Sequence, residues 1–466
     1  MLIIKTIINS INLPAPDLLC YDIFYLRKNN QKNCVSNFNY YKAMLNFYLL
    51  KYKSLIKKTI LKLRKSNQLS KHKSNYSIQS PIVVVLGTLN HTRVFDCFKD
   101  YIKYPYVIWG NKGDKSKRNL PNLPINSSVS LLDEIKLITF LLFNEITPKQ
   151  NKENFHEQRE FVYKTYVQLL QVEKLLKESQ VKLIILFNDH VSWYRAVLFA
   201  AKRLNIKTAY IPHASVTEEF PPLIFDYAFL EGSDMANKYL CKLGNTSKIA
   251  LIGNCKFDTN QKESIEHSRS GITIGIGYNL LDNIESVKQI TSALAKKYDN
   301  NEKDFIIKSL IIRPHPQTKN EDIINLEHPI VTLSNPQEEN SLQFLDKCDL
   351  IISTPSTNLV LESLLMNTPV IPFDFFDKNN ISKKYDQYNF VKNNLLEPPL
   401  KSESCLFNKI KEIRDNNFTI NQTIKNKLKS YNAAIGTPYE KAVSPLIGKA
   451  INDMVSQGNL SEDLFK

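Results

Sequence analysis

Short apolar runs rich in β-branched residues alternate with amphipathic stretches along most of this chain. Residues 82–86 (Ile-Val-Val-Val-Leu) follow Pro81 and stop at Gly87. A run that is apolar without alternation predicts a strand buried on both faces of a parallel sheet. Residues 181–187, 208–211 and 227–230 predict three more strands, with helices over 154–179 and 193–204. The pattern then restarts. Strands are predicted at 247–252, 272–276, 310–312, 330–333, 350–352 and 370–372, with helices at 286–297, 341–348 and 358–366. Helical sequence continues from Glu403. Strand–helix–strand alternation of this kind predicts an α/β protein of two Rossmann-like, doubly wound domains facing a cleft. We place the first domain at 81–231, the second at 232–400 and closing helices at 401–466. Ligands of such folds bind at the carboxyl ends of the strands, so the strand-end loops are where chemistry is expected.

Residues 1–80 depart from the pattern. They hold 14 Lys/Arg against 2 Asp/Glu, whereas the rest of the chain is close to balanced, so most of the +15 net charge belongs to this segment. Within it, Leu45, Tyr48, Leu49, Tyr52, Leu55, Ile56, Ile60 and Leu63 recur at helical steps over 41–65, with Lys51, Lys57, Lys58, Lys62 and Lys65 between them. A basic amphipathic helix suits an anionic membrane surface. It equally suits packing on a neighbouring domain with a solvated lysine face. No nucleic-acid-binding motif accompanies the charge, so nucleic acid is not expected as a partner. Residues 66–80 read as a linker, and 111–128 as a polar loop.

Composition narrows the class. The chain has 466 residues, 43% hydrophobic and 23% charged, which is globular and long enough for two or three domains. It has no apolar run of about 18 residues and no recognisable secretory leader, so a cytoplasmic location is expected, peripheral at the inner membrane face if the basic helix takes the membrane rather than the packing role. The seven cysteines are scattered and never form Cys-x-x-Cys. The eight histidines show no metal-ligand spacing. Neither a disulfide framework nor a metal or other cofactor is expected.

Four clusters fall at predicted strand ends. Arg313-Pro314-His315-Pro316 places a guanidinium and an imidazole on a turn stiffened by two prolines, which suits a phosphate or else a rigid capped turn. Ser353-Thr354-Pro355-Ser356-Thr357 precedes an apolar helix. Its hydroxyls suit helix capping, and the helix start suits an anion. Glu362, further along that helix, reads as an acceptor for a ribose hydroxyl or as a solvent-facing residue. Ile211-Pro212-His213 is followed by Glu218 and Glu219, which makes His213, Glu219 and Glu218 candidate bases. Gly87-Thr88 and the pair Gly275 and Gly277 allow close backbone approach to a ligand. Asp189 and His190 are a further strand-end pair.

These residues resemble GT-B glycosyltransferases of bacterial surface (capsule) polysaccharide synthesis, in the style of the CDP-glycerol glycerophosphotransferase-like and CMP-sugar sialyltransferase families. The resemblance covers roughly residues 81–400. It rests on Ile211-Pro212-His213, Gly253-Asn254-Cys255-Lys256-Phe257-Asp258, Arg313-Pro314-His315-Pro316, Ser356-Thr357 with Glu362, and Pro369-Val370-Ile371. Ala214, Cys255 and Asn367 stand where those families usually carry glycine, proline and glycine. The resemblance implies a metal-independent transferase that moves a sugar from a nucleotide-activated donor to a glycan or lipid-linked acceptor. It implies that the second domain holds the donor, with His315, Ser356 and Thr357 on its phosphate. Arg313, Ser353, Glu362, Gly275 and Gly277 join that group on charge and position. The first domain would hold the acceptor, with Gly87, Thr88, Asp189 and His190 lining it and His213 or a glutamate as base. A nucleotide-sugar 2-epimerase, a glycerophosphotransferase and a non-catalytic assembly protein are the competing expectations.

Overall fold

The computed structural model describes residues 78–110, 159–242, 244–258, 271–280, 282–300, 306–318, 323–324, 326–375 and 386–460, with the side chains of 159–164 excepted. The helix expected at 41–65 and the loop expected at 111–128 lie outside these residues, as does most of the linker at 66–80.

In chain order the elements are β1 (Ile82–Leu86), α1 (Leu89–Phe98), β2 (Tyr106–Gly110), α2 (Arg159–Lys177), β3 (Leu183–Leu186), α3 (Ser192–Arg203), β4 (Lys207–Tyr210), β5 (Tyr227–Leu230), α4 (Ser233–Leu240) and β6 (Lys248–Leu251). Then follow β7 (Ile272–Gly277), α5 (Ile284–Asp299), β8 (Ile307–Arg313), β9 (Val331–Leu333), α6 (Ser341–Asp346), β10 (Leu350–Ser353), α7 (Asn358–Leu365) and β11 (Val370–Pro372). Three helices close the chain: α8 (Glu403–Asp415), α9 (Gln422–Tyr431) and α10 (Val443–Gln457).

The strands form two parallel sheets, a six-stranded one in the order β2-β1-β3-β4-β5-β6 and a five-stranded one in the order β11-β10-β7-β8-β9. This is the expected α/β class with two Rossmann-like domains. The central strands are buried on both faces, which is why they read as continuous Val/Ile/Leu runs. Helices cover both sides. Trp193, Val197 and Ala201 of α3 pack on one face of the first sheet; Phe95, Ile447 and Ile451 of α1 and α10 pack on the other. Side chains start several helices: Thr88 caps α1, Asn283 caps α5, and Asn340 with Gln343 forms a capping box on α6.

Three expectations need revision. β2 was not foreseen; Tyr106, Val107 and Ile108 are only half-buried at the sheet's edge, and the run is short. The boundary expected at 231/232 falls inside the first sheet, because β6 at Lys248–Leu251 pairs with β5. The closing segment is not one body. Leu406 and Ile410 of α8 join the core of the second sheet, whereas α10 returns to the first. The return is pinned by Asp258, whose carboxylate accepts from the backbone N–H groups of Val443 (3.0 Å) and Ser444 (2.6 Å) at the start of α10. Asn367, where the related families usually carry glycine, adopts φ 57°, the left-handed conformation that ends α7.

Candidate functional site

Strand order locates the crevices. In the first sheet the chain leaves β1 to one side and returns on the other as β3, so the switch point lies between Gly87 and Asn188. In the second sheet it lies between β7 and β10, at Tyr278–Asn279 and Ser353–Thr357. These carboxyl-terminal edges meet. Ser215 N–H donates to Asn358 Oδ1 at 2.9 Å, joining the loop after β4 to the first residue of α7. Lys256 Nζ reaches Glu362 Oε1 at 2.8 Å. Arg93 on α1 donates to the backbone carbonyls of Pro336 (2.8 Å) and Glu339 (3.1 Å).

Three histidines gather on the first-domain side. His213 Nδ1 lies 2.7 Å from the Phe187 carbonyl, which can only accept, so Nδ1 carries the hydrogen and Nε2 is the bare, basic nitrogen. His91 Nδ1 accepts from Gly87 N–H (3.2 Å) and faces the Tyr194 hydroxyl (3.1 Å). Its hydrogen therefore sits on Nε2, which is buried without a hydrogen-bond partner. The His91 and His213 rings meet edge to face, 4.3 Å between centroids. His190 Nδ1 lies 3.1 Å from Asp189 Oδ1, and its ring stacks on Phe220 at 4.1 Å. The other Asp189 oxygen accepts from the Tyr239 hydroxyl at 3.0 Å. Burial pushes His213 down to about 4; the Phe187 carbonyl opposes this, the positive charge of Lys256 adds to it, and the Asp189 carboxylate opposes it. Burial likewise holds His91 well below the usual imidazole range. Both rings are neutral at physiological pH.

The other first-domain expectations divide. Asp189 is an orienting carboxylate for His190, as a strand-end pair allows. Gly87 and Thr88 serve the scaffold. A Cβ on Gly87 would stand 1.9 Å from the Tyr194 hydroxyl, so glycine there makes room for the Tyr194–His91 contact. Thr88 Oγ1 caps α1 by accepting from His91 N–H at 3.3 Å. Glu218 is exposed and tied to the other domain, through Asn389 at 2.8 Å and Lys392 at 3.3 Å, which removes it as a base. Glu219 follows it on the same loop, its N–H on Thr217 Oγ1 at 3.3 Å.

Charge collects where the domains join. Lys256 Nζ donates both to the His213 backbone carbonyl (3.2 Å) and to Glu362. Glu362 is buried. Burial alone would raise its carboxyl, but the charge and hydrogen bond of Lys256, with Ser341 and Arg313, hold it below the usual range. It therefore neither faces solvent nor waits for a ribose. Glu231, at the end of β5, is pushed up to about 7, first by burial and then by Glu362; Lys256 and Asn254 pull the other way. A carboxyl raised in the folded state holds its proton between about 4.5 and 7, and stability is lost as pH rises through that window. Glu231→Gln cannot ionise. Its stability relative to the parent should rise by about 1–3 kcal/mol from pH 5 to pH 8, read from chemical denaturation at the two pH values. A difference independent of pH would contradict the raised carboxyl.

On the second-domain side, Gly277 pairs with both Arg313 and Ser353, so the loops after β8 and β10 leave the sheet at one level. Two strand spacings separate them, about 10 Å. His315 Nδ1 accepts from Gln317 N–H at 3.2 Å, leaving Nε2–H as a neutral donor. Burial holds this ring at about 4. Thr357 Oγ1 caps α7 by accepting from Leu359 N–H at 3.3 Å. The Ser356 carbonyl accepts from Asn279 (3.3 Å) and Gln387 (2.8 Å). Thr354 Oγ1 is buried with no hydrogen-bond partner at the same helix start.

Arg313 is not a phosphate ligand. It is buried, donates to Ser334 Oγ (2.6 Å) and the Glu339 carbonyl (3.0 Å), and lies over the Phe344 ring. Ser353 Oγ donates to the Gly277 carbonyl at 2.7 Å and braces the sheet. Gly275 and Gly277 admit packing rather than a ligand. A Cβ on Gly277 would stand 2.3 Å from Leu359 Cδ2 of α7, and one on Gly275 would stand within 2.7 Å of Ile351, Cys348 and Phe344. Gly277→Ala should push α7 outward and cost about 1–3 kcal/mol, measured by denaturation. An unchanged midpoint would show that the helix has slack.

Sequence reading missed His91, Glu231 and Lys256 as site residues. Lys256 stood inside a motif quoted for the family resemblance, and His91 lies four residues after Gly87. Glu231 carried the signal of an acidic residue at a strand end, in Leu230-Glu231-Gly232, a loose echo of the acidic motif of CMP-sugar enzymes. Among the described residues no group of three His, Cys, Asp or Glu is placed to hold a metal ion, and no helix is long and apolar enough to cross a membrane.

No family model matches this sequence, and no curated protein does. Among solved structures, the chain is similar to the wall teichoic acid polymerase TagF, at 10% identity and a TM-score of 0.49, covering 91% of this chain and 99% of that one. It is similar to MnaA of S. aureus in complex with UDP, at 13% identity and a TM-score of 0.45, covering 82% and 97%. It is also similar to a UDP-glucosyltransferase from Polygonum tinctorium, at 9% identity and a TM-score of 0.44, covering 81% and 99%.

Proposed function

We propose that this chain is a GT-B-type transferase that moves a sugar, or a related phosphoalcohol, from a nucleotide-activated donor to a hydroxyl acceptor. One observation carries the reading. The loop that bears His213 is hydrogen-bonded, through Ser215 N–H and Asn358 Oδ1 at 2.9 Å, to the first turn of α7. The bond ties the loop that carries the bare imidazole nitrogen to a helix start whose N–H groups and dipole favour an anion. In this reading the donor phosphates lie over the start of α7, with Ser356 and Thr357 at their foot, and His315 Nε2–H donates from the loop after β8, across β7. The acceptor hydroxyl enters from the first domain. For a sugar, His213 Nε2 takes its proton as the acceptor oxygen bonds to the donor carbon and the carbon–oxygen bond to phosphate breaks. For a phosphoalcohol the acceptor oxygen bonds instead to the distal phosphorus, and the phosphorus–oxygen bond to the nucleoside monophosphate breaks. The nucleotide leaves with the electron pair, its charge met by α7 and His315. Asp189 and His190 line the acceptor side. Residues 1–80 would bring the enzyme to an anionic membrane surface, near a lipid-linked or growing glycan of the cell surface.

The test begins with a thermal-shift screen of CMP, CDP, UDP and GDP compounds, since a ligand of the folded state raises its melting temperature. The activated sugar of the nucleotide that binds is then incubated with and without glycan acceptors. Transfer that depends on acceptor supports the reading. No shift with any nucleotide would overturn it.

The grouping of His91, His190 and His213 with Asp189 favours a second reading, a nucleotide-sugar 2-epimerase, whose chemistry moves a proton on the donor sugar itself. Donor incubated alone separates the two. An epimerase converts it fully to the epimer mixture, whereas a transferase yields only slow hydrolysis.

A further inference from the structure

Lys256 holds groups from both halves of the molecule at once. It lies on the 3-10 turn Cys255–Phe257, directly after β6. Its ammonium donates to the backbone carbonyl of His213 at 3.2 Å and to Glu362 Oε1 at 2.8 Å. The first acceptor belongs to the candidate base. The second projects from α7, whose start is the candidate phosphate site. The turn is itself fixed. Asn254 Oδ1 accepts from Lys256 N–H at 3.0 Å, Asn254 N–H donates to Asn432 Oδ1 at 3.2 Å, and Asp258 caps α10. The Lys256 side chain is largely buried, at 15% exposure against 10% for Glu362, so the contact is shielded from competing water and salt.

We propose that Lys256 is a positioning residue that sets the separation between His213 and the start of α7, and that this separation governs turnover. The inference rests on the transferase reading above for its catalytic meaning, but its geometric content does not. An ammonium bound to a backbone carbonyl fixes the loop whatever side chain the loop carries. Its second bond, to α7, transmits any shift of that helix to the His213 loop. A displacement of about 1 Å in a reacting pair is enough to cost about a hundredfold in rate.

The experiment compares Lys256→Met, Lys256→Arg and the double variant Lys256→Met/Glu362→Met with the parent. Removing one member of a buried ion pair destabilises strongly, whereas replacing both by apolar residues of similar volume is often neutral. The double variant therefore folds where the single one fails. The expected result is that the double variant binds the nucleotide found by thermal shift within about threefold of the parent and loses about a hundredfold in kcat. Lys256→Arg should recover much of that loss. The second readout needs no activity. Carbethoxylation of His213 by diethyl pyrocarbonate, mapped by mass spectrometry, should rise several-fold in the double variant while His315 is unchanged. Parental kcat and parental His213 reactivity in the double variant would overturn the proposal. Increased His213 reactivity in a protein that shows no transfer with any donor would instead overturn the transferase reading and leave the positioning role standing.

Discussion

His213→Asn reduces kcat for transfer by about 10²–10⁴-fold, the usual worth of a positioned general base, and leaves the nucleotide-induced thermal shift intact. Asparagine keeps an amide N–H for the Phe187 carbonyl, which the imidazole now holds at 2.7 Å, so the loop retains its anchor. What disappears is the basic nitrogen. The ring sits at about 4, lowered chiefly by burial, and is unprotonated throughout the neutral range. The parental kcat/KM should accordingly show no dependence on this group between pH 6 and pH 8. A base that weak becomes effective only as charge develops. The nearby Asp189 carboxylate favours the imidazolium when the acceptor proton arrives, as does the negative charge of the departing phosphate. A variant that keeps parental kcat with acceptor present would remove His213 from the chemistry and leave His190 as the remaining strand-end imidazole.

His315→Ala has the opposite signature. Nucleotide affinity falls by about 10–100-fold, the worth of a hydrogen bond to a charged group, and the thermal shift at fixed ligand shrinks or vanishes. Its Nδ1 is held by Gln317 N–H, so Nε2 presents a hydrogen without carrying a charge. In the transferase reading, a neutral donor on the loop after β8, two strands from the α7 start, adds to the helix N–H groups without the desolvation cost of a buried cation. Alanine removes that donor and leaves the turn between Pro314 and Pro316 in place. Measured by titration calorimetry, His315→Ala and His213→Asn should separate binding from turnover. Equal losses of nucleotide affinity in the two would contradict the assignment of donor and acceptor to different sheets.

Much of this site could be read in the chain, and the part that could not has a common character. His213, His315, Ser356 and Thr357 were placed from strand-end position together with the family resemblance, and each stands in a loop at the carboxyl edge of its sheet. Arg313 stands there too, yet its guanidinium is taken up by Ser334 and Glu339. Position along a strand says which loop a residue leads into; it does not say which neighbours will satisfy five guanidinium donors. Gly275, Gly277 and Gly87 illustrate the same limit. A glycine near a strand end signals close approach, but whether a ligand or a leucine approaches depends on helices that pack later. Glu362 was read against its own helix. Its partner Lys256 lies more than a hundred residues earlier, beyond any local pattern.

The strands other than β2, the helices other than α1 and α4, the doubling of the α/β unit and the caps that start most helices were determined by local chemistry: β-branched runs, amphipathic spacing and capping side chains act over a few residues and need no partner to be legible. The tertiary structure alone decided the return of α10 to the first sheet, the neutral state of His91 and His213, and the Lys256–Glu362 bond. Burial and charge proximity are properties of space rather than of sequence distance, and they arise only when two sheets bring their edges together.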